Sequence, residues 1–216
     1  MHSKKVNKDM ETLKTGTTTV GIVCKEGILM GADRRATAGN FIANKNVSKV
    51  LPINDQMVIT TAGSVSDIQL IVKLLRAEIQ LKAIRTGRQS TIKEAANLLT
   101  SIVYNNIRAF SIIPGITHFL FAGFDSTGVH LYEIYPDGSM MEVDDFVSSG
   151  SGSVMVYGVL ESSYKKGISL KDGQELVSKG IMAAVQRDSA SGNGFDIYCI
   201  TPGSVKKVFE KTFNLN

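Results

Sequence analysis

Two amphipathic helical segments follow one another with no strand between them, and runs of strand character flank the pair on both sides. No other feature of the sequence constrains the architecture as strongly. Ser64 with Asp67 has the form of a capping box, and Ile68, Ile71, Val72, Leu75 and Ile79 recur behind it at helical spacing, which predicts a helix of about twenty residues. Thr91 with Glu94 is a second box, followed by Ile92, Ala95, Ala96, Leu99, Ile102 and Val103 on one stripe. Upstream, 17–24 places Val20, Ile22 and Cys24 on one face and pairs through Lys25-Glu26-Gly27 with 28–33, while 47–53 pairs with 57–62. Downstream, 117–124, 129–135 and 139–143 read as a meander whose turns fall at 125–128 and at Pro136-Asp137-Gly138. The Gly/Ser stretch 148–153 precedes a short helix, and Ser169 with Asp172 caps another carrying Val177, Ile181, Ala184 and Val185. Strands at 195–201 and 205–209 follow. This order lacks the βαβα alternation of a parallel sheet. It predicts an α+β chain, a four-layer αββα sandwich of two antiparallel sheets with helices outside.

With 216 residues, 43% of them apolar and 20% charged, the chain can bury one substantial core and is too hydrophobic for disorder. No apolar run reaches the roughly 18 to 20 residues of a membrane helix, and the first twenty residues lack a signal-peptide core. A soluble, cytoplasmic protein is expected, with no membrane partner. Cys24 and Cys199 lie far apart in apolar runs without metal-ligand spacing, as buried small hydrophobes do. The net charge of +4 hints at an acidic partner, but residues 1–16 carry +2 of it, leaving +2 scattered over the remaining two hundred residues. A nucleic-acid footprint needs clustered charge, so none is expected.

Phosphate-binding loops, zinc-protease helices, nucleophile elbows and CxxC pairs are all absent. Of three histidines, His2 lies in the polar leader, and His118 and His130 lie in strand-like runs that suit surface or core roles better than catalysis. A hydrolase built on this chain needs another base. The junction Thr15-Gly16-Thr17-Thr18-Thr19 offers one, because a cut after Gly16 leaves Thr17 with a free α-amine. Such an amine has a pKa of roughly 7.7 to 8 and can take the proton from the hydroxyl of its own residue. An uncut chain is then inactive, and a glycine at 16 lets the hydroxyl reach the preceding carbonyl. A threonine run at the start of a strand is equally ordinary β-forming sequence.

Six ordered blocks extend the argument: TGTTTVGI at 15–22, GADRRAT at 31–37, Lys49 in NVSKV, TAGSVSD at 61–67, SSGSGS at 148–153 and QRDSASG at 186–192. Together they closely resemble an archaeal-type proteasome core particle β subunit, a threonine-type N-terminal nucleophile hydrolase. The similarity runs from Thr15 to about residue 201.

The resemblance implies the remaining expectations. Residues 1–16 are a propeptide removed autocatalytically between Gly16 and Thr17, and 17–216 form the catalytic domain. Thr17 is the nucleophile, and Lys49 with its partner Asp33 lowers the pKa of the Thr17 amine and hydroxyl. Gly63 supplies the backbone N–H that polarises the scissile carbonyl, a donor worth about 2.7 to 4 kcal/mol. Ser151, Asp188 and Ser191 hydrogen-bond around the amine, whereas Arg35 matches a nearby arginine taken as structural. Ala36, Thr37, Val47, Gly63 and Val65, with Leu51, Thr61 and Gln69, match the substrate pocket. None is charged, which favours cleavage after apolar or small neutral residues. No metal or organic cofactor is required. The expected partners are proteasome α subunits and other β subunits in stacked seven-membered rings, an ATP-dependent unfoldase regulator, and unfolded protein substrates. The competing reading is a catalytically silent structural subunit of the ring, which would not need Thr17, Asp33, Lys49, Gly63 and Asp188 together.

Overall fold

A computed structural model describes residues 16–111 and 114–213. All of the leader but Gly16, residues 1–15, lies outside the described residues. The chain opens with β1 (Thr19–Val23), β2 (Ile28–Asp33), β3 (Ala36–Ala38), β4 (Phe41–Asn44), β5 (Val50–Pro52) and β6 (Met57–Gly63). Helices α1 (Val65–Thr86) and α2 (Ile92–Arg108) follow, then β7 (Thr117–Asp125), β8 (Gly128–Ile134), β9 (Met140–Glu142) and β10 (Phe146–Ser149). The second helical pair, α3 (Ser153–Ser163) and α4 (Leu170–Arg187), leads into β11 (Gly194–Thr201) and β12 (Ser204–Thr212).

All pairings are antiparallel. One five-stranded sheet has the order β10-β1-β2-β11-β12, the other β5-β6-β7-β8-β9, and β3 with β4 forms a separate hairpin. The pleat explains the stacking. In β6, Met57 and Ile59 face α1 and α2, together with Phe119 and Phe121 of β7 and Tyr132 and Ile134 of β8. Their alternate neighbours Val58, Leu120, Ala122 and Leu131 point the other way, onto Ile28, Met30 and Ala32 of β2. On the far face of that second sheet, Val20, Ile22 and Leu29 meet Val156, Val177, Ile181 and Ala184 from α3 and α4. The result is the four-layer αββα sandwich that the element order predicts.

Local chemistry departs from the sequence reading in three places. The Thr91–Glu94 box closes reciprocally, with Glu94 N–H donating to Thr91 Oγ1 at 3.2 Å and Thr91 N–H to Glu94 Oε2 at 3.0 Å. At α1, however, the Ser64 hydroxyl bonds the Asp67 carboxylate instead of a backbone N–H, so the expected box does not form there. The hairpin β3–β4 was not anticipated; its tight turn depends on Gly39 at φ 59°. Nor was β10, whose serines are poor strand formers. They are held because Ser148 Oγ donates to Thr19 O at 2.6 Å and Ser149 Oγ lies 2.7 Å from Thr19 Oγ1. No helix among the described residues is long and apolar enough to cross a membrane.

Candidate active site

Thr17 and Thr18 continue the line of β1 toward the end of the sandwich, where Asp33 N–H donates to Thr18 O at 3.1 Å. Thr17 is buried and still peptide-bonded to Gly16. Its hydroxyl donates to the Gly16 carbonyl oxygen at 2.7 Å, and its N–H donates to Ser151 Oγ at 3.3 Å. Gly16 N–H in turn donates to Thr37 Oγ1 at 3.1 Å. The glycine requirement at 16 is one of space. A Cβ there would overlap the Ala190 Cβ and approach Ser151 Oγ to 2.9 Å. A packing constraint thus stands beside the turn flexibility expected of this glycine.

Lys49 lies just before β5, in a segment fixed at both ends: Val47 N–H donates to Arg34 O and Thr61 N–H to Lys49 O, each at 3.0 Å. This directs its side chain inward, to 5% exposure, where Nζ donates to Asp33 Oδ1 at 2.7 Å and makes a longer 3.4 Å contact with Gly16 O. Asp33 ends β2 with 0% exposure, and its carboxylate also accepts N–H bonds from Thr18, Arg35 and Gly192, each at 2.9 Å. Four donors thus converge on this carboxylate, which holds the Lys49 side chain in place. Burial pushes the Lys49 ammonium below its ordinary value, opposed by the attraction of Asp33. A lysine held this way surrenders its proton more readily than one at the surface.

The third group comes from the α4–β11 connection. Asp188, which caps the end of α4, accepts from Ser151 Oγ and Ser191 Oγ through the same oxygen, Oδ2, at 2.6 Å each. Ser191 Oγ also lies 2.7 Å from Thr18 Oγ1. Gly150, at φ 89°, brings its backbone so close to Thr17 O that no Cβ would fit. A hydroxyl and carboxylate chain thus runs from Ser191 through Asp188 and Ser151 to the Thr17 nitrogen.

Beside Thr17 lies a cavity of about 250 Å³, lined by Gly16, Thr17, Ala36, Thr37, Val47, Ser48, Lys49, Leu51, Thr61, Gly63, Val65, Ile68 and Gln69. Gly63 closes it at the end of β6 with φ 120°, a conformation that glycine adopts without strain. Apart from Lys49, no lining side chain carries a charge.

Every residue named from the sequence as catalytic or pocket-forming therefore falls around one point at the end of the sandwich. Sequence reasoning missed Thr18, which bonds Asp33 and Ser191, Ala190, which packs against residue 16, and Ser48 and Ile68 in the cavity wall. Ile68 carried a signal as part of the apolar stripe of α1, but it was assigned wholly to the core. Arg35 reaches the 189–193 loop across 154 and 158 positions of sequence, a pairing no local pattern reveals.

The chain is similar to known proteins over most of its length. A family model described as "Proteasome subunit" matches residues 13–200. A "Proteasome subunit beta" of Ferroglobus placidus is 41% identical over 204 residues, covering 91% of this chain and 95% of its own length. Proteins of the same description are similar at 44% over 191 residues in Archaeoglobus fulgidus (88% of each chain) and at 40% over 194 residues in Methanopyrus kandleri (90% and 91%).

Proposed function

This chain belongs to the proteasome subunit family, and on that premise we propose that it is a β-type threonine endopeptidase whose nucleophile is Thr17, freed by removal of residues 1–16. The observation that carries this reading is the convergence of two groups on one carbonyl. Thr17 Oγ1 at 2.7 Å and Lys49 Nζ at 3.4 Å both approach the oxygen of Gly16, the residue on the scissile side of the bond.

Maturation follows from that geometry. The hydroxyl needs only to swing from the carbonyl oxygen to its carbon, about 1.23 Å away. The Thr17 Oγ–C bond then forms as the hydroxyl proton passes to the Lys49 amine, and the ammonium stabilises the developing oxyanion. Collapse breaks the Gly16 C–N bond, the departing nitrogen takes a proton to become the Thr17 amine, and water hydrolyses the ester. The mature enzyme repeats the sequence on substrate: Thr17 Oγ attacks the scissile carbonyl, the oxyanion lies against Gly63 N–H, the amine product leaves, and water releases the acyl group. Ser151 and Asp188 hold the new amine, Lys49 and Asp33 manage the hydroxyl proton, and Ser191 supports Asp188.

The largely uncharged cavity supports cleavage after apolar or small neutral residues. Extended substrate binds along the edges at Thr37 and Gly63 through backbone hydrogen bonds, which favour unfolded polypeptide over any particular sequence. On this reading the subunit works in the cytoplasm, with α-type subunits and further β subunits in stacked seven-membered rings, fed by an ATP-dependent unfoldase. The test is Thr17→Ala coexpressed with a cognate α-type subunit. The particle is expected to assemble, keep residues 1–16 and hydrolyse no peptide; normal removal of the leader in that variant would assign the chemistry to another group.

A further inference from the structure

We propose that Arg35 is a positioning residue for this reaction: it clamps the 188–193 loop so that Asp188 and Ser191 stand in register with the nucleophile and Ala190 walls the residue being cut. The proposal rests on the reading of Thr17 as nucleophile.

The loop leaves α4 at Asp188 and must reverse into β11 within a few residues. Its path includes Asn193 at φ 63°, a left-handed conformation unusual for a residue with a Cβ. Arg35 spans it like a brace. Nη1 donates to Ser189 O at 2.7 Å and Nε donates to Asn193 Oδ1 at 2.8 Å, so one guanidinium holds both ends of the Ala190-Ser191-Gly192 segment. Gly192 makes room for it, since a Cβ there would approach Arg35 Cζ to 2.6 Å. The backbone completes the clamp: Gly192 N–H and Arg35 N–H both donate to Asp33 Oδ2 at 2.9 Å, and Arg34 N–H donates to Gly192 O at 3.2 Å.

The braced segment carries three contacts that matter at the site. Ser191 Oγ bonds Asp188 at 2.6 Å, Ala190 N–H bonds the other Asp188 oxygen at 3.2 Å, and the Ala190 Cβ occupies the space beside Gly16. Release of either end of the loop would shift all three together, and displacements of about 1 Å at a reacting centre cost up to about a hundredfold in rate. A lysine offers a point charge and cannot hold two acceptors on either side of a segment. Charge adds a second effect. Among the described residues Asp33, Asp188 and Arg35 act on Lys49, Arg35 opposing its protonation while both carboxylates favour it.

Arg35→Ala and Arg35→Lys, each coassembled with a cognate α-type subunit, separate the two effects in the pH profile of a fluorogenic peptide ending in an apolar residue. For Arg35→Ala, kcat is expected to fall by about tenfold or more with KM nearly unchanged. The acid limb of the kcat profile should move to higher pH, and guanidinium ion at non-denaturing concentration should restore part of the rate. For Arg35→Lys, kcat is expected to fall while the acid limb stays in place, because the charge is retained. Unchanged kcat in a processed Arg35→Ala particle overturns the proposal, as does a loss with no shift of the limb and no rescue. Should Arg35→Ala not assemble, wild-type kcat in Arg35→Lys overturns it equally. A wild-type particle that hydrolyses nothing removes the threonine reading itself, and the clamp with it; an active wild type with indifferent Arg35 variants removes the clamp alone.

Discussion

Residue 16 has no space for a side chain because Ala190 fills it: a Cβ on Gly16 would overlap the Ala190 Cβ. A contact between the cleavage junction and a loop 174 positions away ties maturation to the placement of Asp188 and Ser191. Gly16→Ala is expected to slow removal of the leader markedly, followed as the fraction of uncut chain over time in coassembled particles. Ala190→Gly in the same chain should recover much of the rate, because it vacates the contested space. Wild-type processing of Gly16→Ala would show that the packing is irrelevant to maturation.

Lys49 and Asp33 form a buried pair, and the ammonium is the only charged group lining the cavity among the described residues. Lys49→Ala is expected to reduce peptide hydrolysis by at least about a hundredfold, the lower range for a positioned proton-transfer group. Lys49→Arg should not rescue it, since a guanidinium neither fits the point contact at 2.7 Å nor releases a proton near neutrality. The measurement is kcat in particles whose assembly matches wild type.

Much of this was legible beforehand, for reasons that particular residues show. The helices α1 and α2 were readable because each buries one stripe, and β6 to β8 because turn residues bound them. The run Ile28–Asp33 was harder to orient, since both of its faces are buried and its alternation carries no polar signal. Strand β10 was hidden because Ser148 and Ser149 are stabilised by hydroxyl contacts to Thr19 rather than by their own propensity. At the site, Lys49 and Asp33 could be named from motif blocks, but the role of Arg35 depends on a backbone carbonyl at Ser189 that no sequence displays. At Gly16 the sequence shows a reason of backbone freedom, whereas the packing reason stays hidden because its neighbour Ala190 is distant in the chain.

Arg34 makes a two-pronged buried ion pair with Asp196, Nε to Oδ2 at 3.0 Å and Nη2 to Oδ1 at 2.6 Å, and Glu210 adds a second carboxylate at 2.7 Å. Asp196→Ala removes both of these bonds and leaves Glu210 as the guanidinium's carboxylate partner, so the loss is expected near the lower end of the about 3 to 5 kcal/mol that breaking a buried pair costs. Thermal unfolding of the unassembled chain is expected to shift down by about 10 °C. Arg34→Leu combined with Asp196→Ala should lose less than the two single changes summed, because the double variant leaves no unpaired charge.

Cys24 and Cys199 are free, and burial is the main cause pushing both thiols up, Cys24 to about 12. At pH 8 the Cys24 thiolate fraction is then about a thousandfold below that of an ordinary thiol. Iodoacetamide should leave Cys24 unmodified in native protein at pH 8 and alkylate it only after unfolding, read by peptide mass. Rapid native alkylation would place this thiol in a more exposed setting.

On the proposed reading, Thr17 becomes the N-terminus through its own chemistry. Intact mass of the chain, taken from particles coassembled with a cognate α-type subunit, tests it most directly. A single species shortened by residues 1–16, beginning at Thr17, is expected in particles that hydrolyse peptide. An assembled particle that retains the leader and nonetheless hydrolyses peptide, or one cut at any other bond, would contradict it.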